Sequence, residues 1–322
     1  MRYLRLTSYL AVFMITVTAC AANSASSPTA SAVALQTTTP PATPEPTTSP
    51  AEDEPGKVPP FSKERAMHHV RELASDIGVR VRATQGELDG ARYIAAEFRS
   101  LGYNVNMQKF AVDGGTSRNV VAWWPGAKRY PVIVGGHMDS VPGAPGANDN
   151  ASGVAVILEV ARLMAGRDQT RWVRFVAFGS EEYGTDGSHH RGSEVFVARL
   201  GEEGRRRLAG MVSVDMIADG RPLLTGTSGI AAETVARTVD EIGTRIGVDM
   251  SYQTTCDCSD NGPFEHAGIP AAYLWSGSVP EYHSPDDTVA NMVPEDLMRT
   301  GRVVRAFVKA LDRKMLEHFR SG

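Results

Sequence analysis

Val132–Val134 is a short apolar run that breaks at Gly135-Gly136 and then presents an imidazole, His137, and a carboxylate, Asp139. A Gly/Pro segment follows, and Asp149 stands just ahead of a helical pattern. Glu181-Glu182 come directly after the apolar run Trp172–Gly179, and Asp215 lies inside the strand-like stretch Val212–Ala218. Burying groups of this kind is costly unless a partner compensates them. A metal ion is the simplest partner for imidazole and carboxylate side chains together.

The spacing sharpens this expectation. His137 and Asp139 are two apart and face the same side of an extended segment. That suits a metal-bound imidazole whose other ring nitrogen is held by a carboxylate. Asp149 has an alternative role as a helix N-cap, but Ser152 is available for that position and leaves Asp149 free. Adjacent glutamates cannot point the same way, so one of Glu181 and Glu182 can bind metal while the other faces a substrate as general base. The carboxylate of Asp215 is either a ligand or half of a buried salt bridge. His283, in the loop Glu281–Thr288, takes its weight from the rest of the set.

The elements that must position these groups alternate. Ser62 caps a predicted helix running to Ile77, a second runs over Leu88–Leu101, and strands follow over Tyr103–Phe110, Asn119–Trp124 and Val132–Gly136. A helix over Ser152–Met164 precedes the strand Trp172–Gly179; a short helix follows over Ser193–Arg199, then a strand over Gly210–Ile217. A helix over Ala231–Ile246, a strand over Ile269–Trp275 and a closing helix over Pro294–Phe319 complete the pattern. Strands that are continuous apolar runs, alternating with helices, predict a single α/β domain with a mixed, mostly parallel sheet and helices on both faces. In open α/β sheets ligands bind beyond the carboxyl ends of the strands, where His137, Asp139, Glu181, Glu182 and Asp215 fall.

The chain resembles the co-catalytic zinc peptidases that include secreted bacterial aminopeptidases, glutamate carboxypeptidase and glutaminyl cyclase. The segments carrying the resemblance are Gly135–Ser140, Gly146–Gly153, Glu181-Glu182, Val214–Ile217 and Tyr282–Thr288, in the family's order across roughly residues 61–319. Residue by residue, it implies two Zn²⁺ ions: one on His137 and Asp215, the other on Glu182 and His283, with Asp149 bridging. It implies Glu181 as general base, Asp139 as the partner of His137, and a cis peptide at Asp149–Asn150. Three carboxylates against two divalent ions leave charge for a hydroxide that attacks a peptide carbonyl. Tyr282, beside His283, is the candidate donor to the developing oxyanion, an arrangement that resembles some secreted bacterial aminopeptidases. The implied activity is that of an exopeptidase, foremost an aminopeptidase acting on peptides. Within the same family a carboxypeptidase or glutaminyl cyclase is the alternative, though cyclases there commonly use a single zinc. An amidohydrolase acting on cell-wall peptides is another reading. A non-catalytic surface binding protein on this fold would be missing ligands, and none is missing. Asn261 departs from the family, which often has histidine there after Ser-Asp.

A net charge of −4 over 322 residues offers no basic footprint for nucleic acid. Arg2 and Arg5 precede the apolar run Leu10–Val17, and Val17-Thr18-Ala19-Cys20 closes it. That run is too short to span a bilayer and reads as a cleaved signal over residues 1–19. Small residues before Cys20 resemble the lipobox of bacterial lipoproteins, which implies lipidation at Cys20 and anchoring on the outer face of the bacterial cell membrane. Residues 20–60 are rich in Ser, Thr, Ala and Pro and read as a disordered tether, with the peptidase domain over 61–322. Outside the cytoplasm Cys256 and Cys258 could pair, but a bridge across a single intervening residue is strained, and free thiols or a third metal site are the alternatives, so the sequence leaves their pairing open. His189-His190 reads as a solvated loop in preference to a third metal site, and Trp123-Trp124 as core on one face and rim on the other. The sequence carries no reading of oligomeric state.

Overall fold

The computed structural model describes residues 59–127, 131–277 and 279–321. The chain divides after Glu52 into two units, and the described residues all fall in the second, Asp53–Gly322. The expected signal, Cys20 and nearly all of the expected tether lie outside the described residues. Among the described residues no helix is long and apolar enough to cross a membrane.

Helix α1 (Lys63–Arg71) starts where Ser62 accepts a hydrogen bond from the Arg65 amide at 3.2 Å, and it widens into a π-type turn over Glu72–Ile77. Helix α2 (Gln85–Ser100) leads into a hairpin of β1 (Asn104–Val112) and β2 (Gly115–Trp123). Then come β3 (Val132–His137), α3 (Ser152–Met164), β4 (Val173–Phe178), α4 (Arg191–Arg207) and β5 (Gly210–Val214). The remainder is β6 (Leu223–Thr227), α5 (Thr234–Arg245), β7 (Met250–Thr254), α6 (Asn261–His266), β8 (Ala271–Trp275), α7 (Pro294–Ala310) and α8 (Arg313–Ser321).

The eight strands form one mixed sheet in the order β1-β2-β4-β3-β5-β8-β6-β7. Strand β3 runs parallel to β4 and β5, and β5 runs parallel to β8, so the carboxyl ends of these central strands share one edge. The antiparallel pairings flank them. The central strands are buried on both faces, which is why their sequences read as unbroken apolar runs. Alternate residues divide between two cores: Val132 and Val134 join the larger with α1, α2, α3 and α7, while Ile133 joins the smaller with Phe196 of α4 and Phe264 of α6. Trp123 packs against the smaller core and Trp124 against the larger, so the pair serves both faces.

Three elements escape the sequence pattern. Strand β7 is an edge strand with mostly exposed or half-buried residues and shows no apolar alternation. Its neighbour β6 carries Thr225, Gly226 and Thr227 in place of bulky apolar residues, and α6 is too short for a helical period. The helix expected over 193–199 is longer, Arg191–Arg207, and is bent at Gly201 (φ 62°). The expected closing helix is two, separated at Leu311-Asp312.

Candidate active site

The sheet's carboxyl edge gathers the predicted side chains. His137 is the last residue of β3, Asp215 follows β5 directly, Glu181-Glu182 follow β4, and His283 lies in the loop after β8. Asp149 arrives from the β3–α3 loop. Its approach depends on glycine: a Cβ on Gly136 would lie 2.5 Å from the Val214 carbonyl oxygen, and one on Gly153 2.1 Å from the same atom. Asn150 completes the junction, donating from Nδ2 to the Val214 carbonyl at 2.9 Å and accepting from the Gly153 amide at 2.9 Å. Asn150 therefore provides the capping interaction expected of Ser152, whose hydroxyl instead donates to the Asn148 carbonyl at 2.7 Å. The Asp149–Asn150 peptide is cis, as the family resemblance implies.

Two further residues hold that loop. Arg80 is fully buried and donates to the carbonyls of Met138, Pro145 and Gly146 at 2.8, 2.7 and 2.9 Å. Asp287 accepts the amides of Asn148 and Asp149, one on each carboxylate oxygen, at 2.7 and 3.0 Å. Neither was singled out from sequence, because their partners are main-chain atoms far away in the chain.

The geometry centres on Asp149. Its Oδ1 lies 3.1 Å from His137 Nε2, which is also 3.3 Å from Asp215 Oδ1. Its Oδ2 lies 3.2 Å from His283 Nε2, which is also 3.1 Å from Glu182 Oε2. One carboxylate is thus divided between two imidazole–carboxylate groups. His137–Asp149–Asp215 and Asp149–Glu182–His283 are each able to hold a metal ion, with ligand atoms within 4.8 Å of one another; His137–Glu181–Glu182 is a third such grouping.

Asp139 faces His137 and has a second part as well. His137 Nδ1 is 3.2 Å from the Asp139 carbonyl oxygen and 3.7 Å from its carboxylate. The carboxylate also accepts the amides of Glu181 and Glu182 at 3.0 and 3.1 Å. Asp139 thus orients the glutamate turn and meets the imidazole through both its main chain and its carboxylate. The site also concentrates unusual backbone: among the described non-glycine residues with positive φ, Ser180, His190, Met216 and His283 all adjoin or belong to it. Such conformations cost about 1–3 kcal/mol each and persist where the surroundings over-determine them.

Electrostatics bear on what this cluster can bind. Burial opposes charge on His137, yet Asp215 and Glu181 raise its pKa well above the usual imidazole value. Burial likewise opposes charge on His283, but Asp149 and Glu182 raise it to about 10. Burial, then Asp149, pushes Glu182 up to about 7, and burial pushes Glu181 well above the carboxylate range. Asp149 is held low: its two histidine partners outweigh its burial. Glu182 Oε1 and Asp215 Oδ1 are buried and accept no hydrogen bond. Orphaned carboxylate oxygens beside raised imidazoles fit a divalent cation, which displaces those protons as it binds.

Tyr282 is 41% exposed and stacks on His283, with ring centroids 3.7 Å apart. Burial of its inner part, then Asp149 and Glu182, pushes its phenol up, so it stays an O–H donor. With Met216, Thr255, Cys256, Cys258, Tyr273 and Trp275 it walls a cavity of about 230 Å³ over the cluster. Cys256 and Cys258 are disulfide-bonded on that wall. Asn261 turns to Glu265, 2.9 Å from its Nδ2, and so joins a neighbouring network. His190 overturns the expectation of a solvated loop: it is buried, with Nε2 2.9 Å from Glu181 Oε1.

A mixed α/β sheet with imidazoles and carboxylates collected at its parallel strand ends is the architecture of a metallopeptidase. The chain belongs to Peptidase family M28, whose model matches residues 119–308. It is 35% identical over 210 residues to aminopeptidase YwaD of Bacillus subtilis, covering 60% of this chain and 44% of that protein. It is 30% identical over 215 residues to the probable lipoprotein aminopeptidase LpqL of Mycobacterium tuberculosis, covering 54% of this chain and 41% of that protein. The chain thus spans less than half the length of these curated relatives. The structure of BSAP, a zinc aminopeptidase from Bacillus subtilis, superposes with a TM-score of 0.72 at 21% identity, covering 79% of this chain and 96% of that one.

Proposed function

We propose that this protein is a zinc aminopeptidase working outside the cytoplasm with a pair of metal ions. The observation that carries this reading is the division of the Asp149 carboxylate between two imidazole–carboxylate groups. His137 and Asp215 would hold one ion, Glu182 and His283 the other, and Asp149 both. The names of the relatives support peptide substrates and zinc.

The chemistry that zinc supplies when bound is Lewis acidity: polarisation of a carbonyl and acidification of water. The protein's own groups do the rest. Glu181 accepts the proton of the attacking water and returns it to the leaving amine nitrogen. Tyr282 donates its hydroxyl to the oxyanion that develops on the scissile carbonyl. Tyr273, Trp275 and Met216 give the cavity an apolar wall against which a terminal side chain packs. At about 230 Å³ it falls below the roughly 300–1,000 Å³ of common ligand pockets, which suits a chain end more than an internal peptide stretch.

Release of leucine from an N-terminal leucyl amide, with and without chelator, tests the reading. We expect turnover with metal, loss on chelation and recovery with added zinc. Activity surviving complete zinc removal overturns the metallopeptidase assignment. Hydrolysis of N-blocked but not free peptides overturns the aminopeptidase assignment.

The segment before the described residues is read as a signal over 1–19, a lipidated Cys20 and a tether to residue 60. Replacing Cys20 by Ser is expected to move the protein from the membrane fraction to the soluble one. A variant that stays membrane-bound rejects the lipid anchor.

A further inference from the structure

His190 sits at the start of α4 and is buried, though its sequence context, His189-His190-Arg191, is polar. Its ring nitrogen Nε2 is 2.9 Å from Glu181 Oε1. Its backbone amide donates to the Glu181 carbonyl at 2.7 Å, and the next amide, Arg191, donates to the Ser180 carbonyl at 2.9 Å. One short segment therefore holds Glu181 by both main chain and side chain. His190 does this in the left-handed region (φ 53°), which a β-carbon disfavours. The His189 ring packs edge-on against it, with centroids 4.1 Å apart at 84°.

The two oxygens of Glu181 are consequently distinct. Oε1 faces His190, while Oε2 faces the metal-ligand cluster, 3.9 Å from His137 Nε2. The Asp139 carboxylate accepts the Glu181 amide, a main-chain contact. On the far side, His190 lines a separate open cavity of about 740 Å³ that also includes His189, Glu194, Asp257 and His266. The imidazole stands between that cavity and Glu181.

We propose that His190 is a positioning residue for Glu181, holding Oε1 so that Oε2 points at the reacting water. The inference rests on the reading of Glu181 as the general base. It accounts for a buried imidazole that lies outside the proposed metal ligands and meets Glu181 while also contacting the Cys258 main chain. A carboxylate free to swing spends part of its time turned away from the proton it must take, so kcat falls while substrate binding is untouched.

The test uses zinc-loaded enzyme and a leucyl amide. His190→Leu keeps the partition filled but offers no polar contact. His190→Gln places an amide nitrogen near the position of Nε2, and His190→Asn places one near Nδ1, out of reach of Glu181. We expect the Leu and Asn variants to lose about 10- to 100-fold in kcat with KM and zinc content unchanged, as for other groups that orient a reacting residue. The Gln variant should recover most of that loss. A crystal structure of the Asn variant should show the Glu181 carboxylate rotated from its place beside residue 190.

Equal turnover by the Gln and Asn variants overturns the proposal, and this comparison stands even if the Leu variant fails to fold. An unmoved Glu181 carboxylate, a loss confined to KM, or a loss of zinc also overturns it. Glu181→Gln separates the two readings. If it stays active, the assignment of the base fails; if it is inactive while every His190 variant matches wild type, only the positioning role fails.

Discussion

Glu265, in α6, is buried and accepts hydrogen bonds from Thr227 Oγ1 at 2.7 Å, from Asn261 Nδ2 at 2.9 Å, and from the Ser228 amide and hydroxyl. Glu182, just past β4, is buried to a similar degree, but its Oε1 accepts no hydrogen bond and its Oε2 faces His283. The first carboxylate is surrounded by neutral donors aimed at it. The second belongs to a set of acidic groups that face one another across two imidazoles. Neutral donors stabilise a buried carboxylate through charge-assisted hydrogen bonds. Carboxylates gathered together need added positive charge, since bringing them close otherwise costs several kcal/mol. The difference separates a carboxylate that holds the fold from one kept ready for a metal ion.

The strongest way to break this comparison is Asp149→Asn. The shared carboxylate is then lost to both groups, and turnover should fall to background with bound zinc depleted, measured by elemental analysis. Full zinc content would show that Asp149 holds no metal. Glu181→Gln comes next: kcat should fall by about 10²- to 10⁴-fold, the usual contribution of a general base, with zinc retained. Loss of zinc there would mean that the adjacent glutamates have their roles exchanged.

Smaller effects sharpen the contrast. Asp287→Asn removes one of the two acceptors that clamp the Asn148 and Asp149 amides. Zinc affinity should weaken by about 10- to 100-fold, read by competition with a chelator. Glu265→Gln should leave kcat and zinc content unchanged and lower unfolding stability by about 1–3 kcal/mol, because donors that faced a carboxylate lose an acceptor. Reduced zinc in that variant would erase the distinction between the two systems.

The candidate site was legible wherever a charged residue interrupted a run that had to be buried. His137 and Asp215 stand at the ends of β3 and β5 for this reason, and Glu181-Glu182 follow β4 by a short turn. His283 had no such signal of its own and was drawn in by its segment's likeness to a known family. The contact between Asp139 and the glutamate amides was invisible, because residue spacing predicts which face a side chain occupies but not which distant amide meets it. His190 was misread because its burial comes from the docking of α4 and the packing of His189, not from neighbours with apolar periodicity. Strand β7 was missed because an exposed edge strand carries no alternation to read.

By itself the sequence determined the α/β class, the central parallel strands and the inventory of groups able to bind metal. Burial on both faces demands unbroken apolar runs, and polar residues breaking those runs stand out as costly. Only the tertiary structure decided how the inventory is shared. It turned the two oxygens of Asp149 toward different histidines, gave the helix cap to Asn150, and set His190 against Glu181. Those choices depend on where β3, β4, β5 and the loop after β8 meet, which is set by strand register and loop path.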